Sequence, residues 1–315
     1  HVLYLIKNYK DSINQCYELL KVDNKNLQTL NTLGLCFLKL QRYDEADEAL
    51  LKGLSLNNQN IVILNSLGRL KHELRKSKEA KIYFDKAYAL DPNSFETLNN
   101  MAGFYLEEGE YQKAIQFYKK ADKLSPNNSI LINNLAKTYM CLHDTDQAEK
   151  HCRRAISIDQ KNDEFKKILG LILLKRYDFK NAWSFFDGRL GLTDFANKNS
   201  ELKLVKNKIP NENTLNQNSK ILILREQGIG DELLYGTMYF DLLNKFSDIV
   251  IECDERLIPL FKNSFKSHKN KFVKLGTHSL DERKINHFDY IIYAGSLGKY
   301  FRNDLNSFSQ NPYIK

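Results

Sequence analysis

The residues best suited to chemistry lie in the stretch Glu226-Gln227-Gly228-Ile229-Gly230-Asp231, directly after the apolar run Ile221-Leu222-Ile223-Leu224. Four consecutive large aliphatics suit a strand covered on both faces, as in a parallel sheet. Gly228 and Gly230 let the backbone turn sharply and let a ligand come close. Asp231 then sits where a helix beginning near Glu232 needs an N-cap. Ligands of open α/β sheets gather at such strand ends.

The surrounding pattern supplies the elements that would hold this loop. Strands are expected at Ile221–Arg225, Ile249–Cys253, Phe272–Leu275 and Tyr290–Tyr293, with helices at Glu232–Lys245 and Arg256–Phe265. Alternating strands and helices favour a parallel sheet, so residues 220–315 read as a small α/β, Rossmann-like half-domain. Residues 191–219 are polar, contain Pro210 and run into Asn211-Glu212-Asn213-Thr214-Leu215-Asn216-Gln217-Asn218, which reads as a linker. A dinucleotide fingerprint is a poor fit: Gly228-Ile229-Gly230 and Glu252 are in place, but Leu233 stands where the third glycine belongs.

Residues 1–190 repeat themselves. From Leu27, the same residue classes return every 34 residues, in units 27–60, 61–94, 95–128, 129–162 and 163 to about 190. Position 8 reads Gly34, Gly68, Ala102, Ala136, Gly170, and position 20 reads Ala46, Ala80, Ala114, Ala148, Ala182. Position 24 is large: Leu50, Phe84, Tyr118, Cys152, Phe186. Tyr9, Ser12 and Cys16 fit an earlier unit cut by the chain start, so one truncated and five further units are expected. Large residues facing small ones predict helical hairpins that bury their apolar faces only when stacked. Ile61–Glu73 and about Lys78–Leu90 form one such pair, closed by the turn at Asp91-Pro92.

These columns resemble the tetratricopeptide repeat, which implies a mainly α solenoid with a groove lined by the first helix of each pair. Positions 5 and 6 hold Asn31, Asn65, Asn99 and Asn133, and Thr32, Ser66, Asn100 and Asn134. An amide both donates to and accepts from a peptide backbone. Asn31, Asn65, Asn99, Asn100, Asn133 and Asn134 are therefore the candidates for holding an extended peptide or protein, in a column that looks like the asparagine ladder of the O-GlcNAc transferase repeats. The carboxylate clamp of chaperone-binding repeats is not assembled at Asn31 and Leu35.

Residues 183–315 carry a second resemblance. Trp183-Ser184-Phe185-Phe186-Asp187-Gly188-Arg189, Pro210, the loop Glu226–Asp231, Phe288-Asp289-Tyr290 and Gly295-Ser296-Leu297 through Arg302 look like proteins in which such repeats precede a family-nine, heptosyltransferase-type glycosyltransferase domain. Asn211 and Met238-Tyr239 depart from that pattern. The resemblance implies the N-terminal, acceptor-side half of a GT-B fold, inverting transfer from a nucleotide sugar, and a glycan or protein acceptor. Asp231 would be the general base, accepting the acceptor hydroxyl's proton. Glu226 and Gln227 would orient the acceptor, and amides around Gly228 and Gly230 would stabilise negative charge. The sequence starts at His1 and ends where the donor half would begin, so a fragment inactive by itself is expected. The competing reading is a non-enzymatic scaffold with a degenerate transferase remnant.

Composition narrows the classes. No apolar run is long enough to span a membrane, and lysines contributing to the net charge of +8 alternate with acids, which suits solvated faces rather than nucleic-acid binding. Lys262, Lys266, Lys269, Lys271 and Lys274 fit the same reading, with Phe261, Phe265 and Phe272 assigned to packing. Five cysteines form no paired framework, which suits a reducing, cytoplasmic setting. His143, His151 and Cys152 lack a zinc spacing, so no metal and no bound cofactor are expected.

Overall fold

The computed structural model describes residues 8–192, 208–210, 214–226, 228–279, 282–308 and 312–314. Gln227, Asn211 and most of the expected linker lie outside the described residues.

Local chemistry explains the helices. The pairs are α1 (Tyr9–Val22), α2 (Leu27–Lys39) with α3 (Tyr43–Leu56), α4 (Ile61–Glu73) with α5 (Ser77–Leu90), α6 (Phe95–Glu107) with α7 (Tyr111–Leu124), α8 (Ser129–Cys141) with α9 (Thr145–Ile158), and α10 (Asp163–Lys175) with α11 (Phe179–Phe186). Asn26, Asn60, Ser94, Asn128 and Asn162, one at each repeat boundary, cap the following helix by accepting a backbone N–H. Part of the chain's asparagine content is thus capping. Position 15 of each unit takes a left-handed backbone between the paired helices: Gln41, Arg75, Gly109, His143 and Tyr177 have φ of 59°, 59°, 78°, 62° and 61°.

The small and large columns meet as expected. A Cβ on Gly34 would come within 2.5 Å of Leu50, one on Gly68 within 2.5 Å of Phe84, and one on Gly170 within 2.4 Å of the Phe186 backbone. All five position-20 alanines are fully buried. Cys16, Cys36, Cys152 and Cys253 are buried, while Cys141 is exposed. Burial pushes the Cys152 and Cys253 thiols up to about 12, which suits packing rather than nucleophilic chemistry.

Contacts divide the chain into two units, one ending at Ile158 and the other beginning at Asp159. The boundary expected at 191–219 is therefore displaced: α10 and α11 belong to the unit that contains the sheet. Among the described residues that sheet comprises β1 (Ile221–Leu224), β2 (Ile249–Cys253), β3 (Phe272–Lys274) and β4 (Tyr290–Tyr293), all parallel, in the order β3-β2-β1-β4. Leu222 and Leu224 face a cluster with Ile285, Phe288, Ile291 and Tyr293, while Ile221 and Ile223 face the larger core containing Tyr239 and Phe261. The single helix expected at 232–245 is two, α12 (Ile229–Gly236) and α13 (Tyr239–Lys245). The next is α14 (Ile258–Ser264), followed later by the short turns α15 (Glu282–Ile285) and α16 (Gly298–Phe301). No helix among the described residues is long and apolar enough to cross a membrane.

A side chain in the left-handed region is strained where glycine is not. Arg75→Gly is therefore expected to leave the fold intact and raise stability by about 0.5–1 kcal/mol, readable as a higher urea midpoint; a lower midpoint would mean that the Arg75 side chain contributes more than its backbone costs.

Candidate functional site

The asparagines separate into two groups that sequence alone does not distinguish. Asn65 is fully buried, and its amide donates to Thr97 Oγ1 at 2.9 Å in the next unit. Asn31 Oδ1 accepts from Ser66 Oγ at 2.7 Å, again between successive units. Asn133 is buried beside Cys152. Asn31 and Asn65 therefore link successive units, while Asn133 packs within its own. Asn99, Asn100 and Asn134 are only partly buried and line a cleft of about 370 Å³ formed by α4, α6 and α8.

The rest of this cleft explains its depth. Phe84, Phe104 and Tyr118 lie beneath it, with Arg69, Lys137, Glu73 and Glu107 around the amides. Burial pushes the Tyr118 phenol well above its ordinary range, so it presents a neutral hydroxyl. His72 stands 3.7 Å from Glu107 and edge-on to Phe104, with ring centroids 5.1 Å apart. Asn100 Nδ2 is a buried donor with no partner among the described residues. A buried amide donor left unpaired costs about 1–3 kcal/mol.

The second constellation is at the carboxyl ends of β1 and β4, where connections diverge and open parallel sheets bind ligands. Here that crevice is filled from within. Arg189, at the end of the last helical pair, donates from Nε and Nη2 to both oxygens of Glu226 at 2.7 and 2.8 Å, and to Ser296 Oγ at 3.0 Å. Its Nη1 reaches Asp187 at 2.7 Å, and Asp187 also accepts from Ser296 and pairs with Lys299. Arg189 and Glu226 are each 2% exposed. Burial works against the guanidinium charge, but Glu226 and then Asp187 outweigh it and raise its pKa. The Gly295 N–H donates to Glu226 as well, and a Cβ on Gly295 would meet Glu226, Arg189 and Tyr235 within 3 Å.

Glu226 is therefore consumed by the fold and does not orient an acceptor. Gly228 and Gly230 are exposed, with open space where their side chains would be. Asp231 is not the N-cap: Gly228 is, and Asp231 lies three residues in, its carboxylate accepting the Gly228 N–H at 3.2 Å. Glu252 is fully buried and clamps the loop after β3 through Gly276 and Ser279, which accounts for an acid at the end of β2 without a ribose. Among the described residues no group of His, Cys, Asp and Glu is arranged to hold a metal ion. Trp183 Nε1 donates to the Arg302 carbonyl at 2.6 Å and packs where a Gly298 side chain would stand. Arg302 in turn reaches Asp241 at 2.7 Å and the Thr237 carbonyl at 2.9 Å.

Helical hairpins of 34 residues, joined small-to-large and capped at each boundary, define a repeat scaffold that presents side chains in a cleft. They are tetratricopeptide repeats: family descriptions of that name match residues 27–60, 61–94, 83–116 and 105–172. No curated protein matches the chain. Among solved structures, pilF of Pseudomonas aeruginosa is 21% identical with a TM-score of 0.51, over 57% of this chain and 82% of that one. PilW, a type IV pilus biogenesis factor, is 20% identical with a TM-score of 0.54, over 61% and 89%. The APC/C assembly Cut9-Hcn1 is 16% identical with a TM-score of 0.56, over 64% and 40%. Identities this low establish the fold alone. The matched family descriptions end at residue 172.

Removing one partner of a buried charge pair strands the other. Arg189→Ala is expected to destabilise the unit that begins at Asp159 by about 3–5 kcal/mol in denaturant melts, whereas the double change Arg189→Met with Glu226→Leu costs less. Equal losses in the two variants would show that packing volume, not charge pairing, is what Arg189 contributes.

Proposed function

We propose that this protein is an interaction scaffold whose repeats hold an extended peptide of a protein partner in the cleft between α4, α6 and α8. The observation that carries this reading is the set Asn99, Asn100 and Asn134, which lines the cleft while Asn65 and Asn133 are buried. Amides at this spacing hold a peptide backbone without demanding a particular side chain, since each both donates and accepts. Partner identity, and the setting in which the two meet, lie with the peptide. The triple change Asn99→Ala, Asn100→Ala, Asn134→Ala is expected to lower affinity for captured peptides at least tenfold with the thermal midpoint nearly unchanged. Asn65→Ala should do the reverse, costing about 1–3 kcal/mol of stability by stranding Thr97. Binding that survives the triple change would remove the groove reading.

A second reading keeps the α/β part as the acceptor-side, Rossmann-like half of a sugar transferase. The parallel order β3-β2-β1-β4 and the open Gly228–Asp231 turn after β1 favour it. In that reading Asp231 is the base, and with the crevice between β1 and β4 filled, the exposed Gly228 and Gly230 face the acceptor. Asp231→Asn in a protein containing both halves is expected to abolish transfer while leaving the melt within about 1 kcal/mol, since the Gly228 contact survives in weakened form. Transfer at the wild-type rate would eliminate Asp231 as base.

A further inference from the structure

Among the glycines inside the first helices of the repeats, Gly103 has no packing reason to be there. Gly34, Gly68 and Gly170 each face an atom that would lie within 2.5 Å of a side chain, but a Cβ on Gly103 would meet only the Tyr118 hydroxyl, at 3.9 Å. The same position of the other units holds Leu35, Arg69, Lys137 and Leu171, so a side chain is the rule in this column. A glycine in a helix interior weakens that helix, and a weakening without a packing gain points to a role outside the fold. Gly103 opens directly into the cleft, between Arg69 and Lys137.

We propose that Gly103 keeps open a socket that receives a glutamate side chain from the extended peptide; this rests on the groove reading above. Charge and hydrogen-bond complementarity select that occupant. Arg69 can only donate, and although it feels Glu96 electrostatically, no salt bridge or hydrogen bond pins its guanidinium among the described residues. The Asn99 amide, which lines the same cleft, is a second donor. A carboxylate satisfies both, and its methylene stem rests on Phe104 and Tyr118 beneath the opening. Glu107, 3.7 Å from His72, and Glu73 are both exposed residues at the cleft edge, so neither closes the socket. A missing side chain makes room for one inserted side chain rather than for a chain end lying along the groove.

Gly103→Leu separates this socket from the groove as a whole, because it fills the space without touching the fold. Fluorescence anisotropy on the full chain would use C-terminally amidated Gly/Ser-rich peptides with a central Glu, Gln or Lys, and a free-carboxylate peptide lacking any acid. The Glu peptide is expected to bind at least tenfold tighter than the Gln and Lys peptides. Gly103→Leu should erase that preference while raising the thermal midpoint, and Arg69→Gln should reduce it about tenfold. Equal binding of the Glu peptide by the wild type and Gly103→Leu, or tighter binding of the Lys peptide, would overturn the socket and leave the groove standing. Preference for the free-carboxylate peptide over the Glu peptide would also overturn it, in favour of chain-end capture. Failure of every peptide to bind the wild type would overturn the groove itself and the socket with it.

Discussion

The unit that begins at Asp159 depends on one buried ion pair. Arg189 leaves the last helical hairpin and meets Glu226 at the end of β1 with two parallel hydrogen bonds, while Ser296 and Gly295 bring in the end of β4. A charge pair so deeply buried stabilises only when every polar atom is satisfied. The arrangement meets that demand with Asp187 and Lys299, and Phe186 lies 4.4 Å from the guanidinium carbon. Because the pair joins a helix end to two strand ends, it also fixes where those strand ends are. Trp183, packed over Gly298 and donating to the Arg302 carbonyl, ties the same hairpin to the segment after β4. The hairpin α10–α11 falls with the sheet in the unit that begins at Asp159.

The same pair decides what the sheet end can do. In an open parallel sheet the gap between β1 and β4 is the natural ligand site. Filling it with a guanidinium from the chain itself leaves the exposed Gly228–Gly230 turn as the accessible surface of the loop. Glu226, which in sequence looks like a reactive acid beside a glycine pair, is structural because both its oxygens already have strong donors.

In the repeats, function and fold compete for the same residue type. Asparagine caps helices at four of the five boundaries, links successive units at Asn31 and Asn65, and lines the cleft at Asn99, Asn100 and Asn134. All three uses exploit one property, a short side chain that donates and accepts. Only the last leaves an amide free for another molecule. Gly103 shows the complementary logic: Gly34, Gly68 and Gly170, one position earlier in their units, pack against a large residue, whereas Gly103 packs under nothing and opens into the cleft.

Much of this was written in the sequence. The 34-residue period, the small and large columns, and strands at Ile249–Cys253 and Tyr290–Tyr293 follow from residue class and spacing, because helix–helix approach and strand burial are local demands repeated along the chain. The capping asparagines and the left-handed position 15 were equally periodic and could have been read there. Direction was not legible. Positions 5 and 6 differ by about 100° around a helix, and which of them meets a neighbour or a cleft depends on how successive hairpins stack. Nor does residue order reveal that Arg189 reaches Glu226, 37 residues along the chain, and turns a candidate acceptor-binding acid into the anchor of a core. The sequence by itself determined which elements form, since their signals are local; the tertiary structure decided which polar side chains are spent on the fold and which remain for a partner, since burial is a property of the whole packed unit.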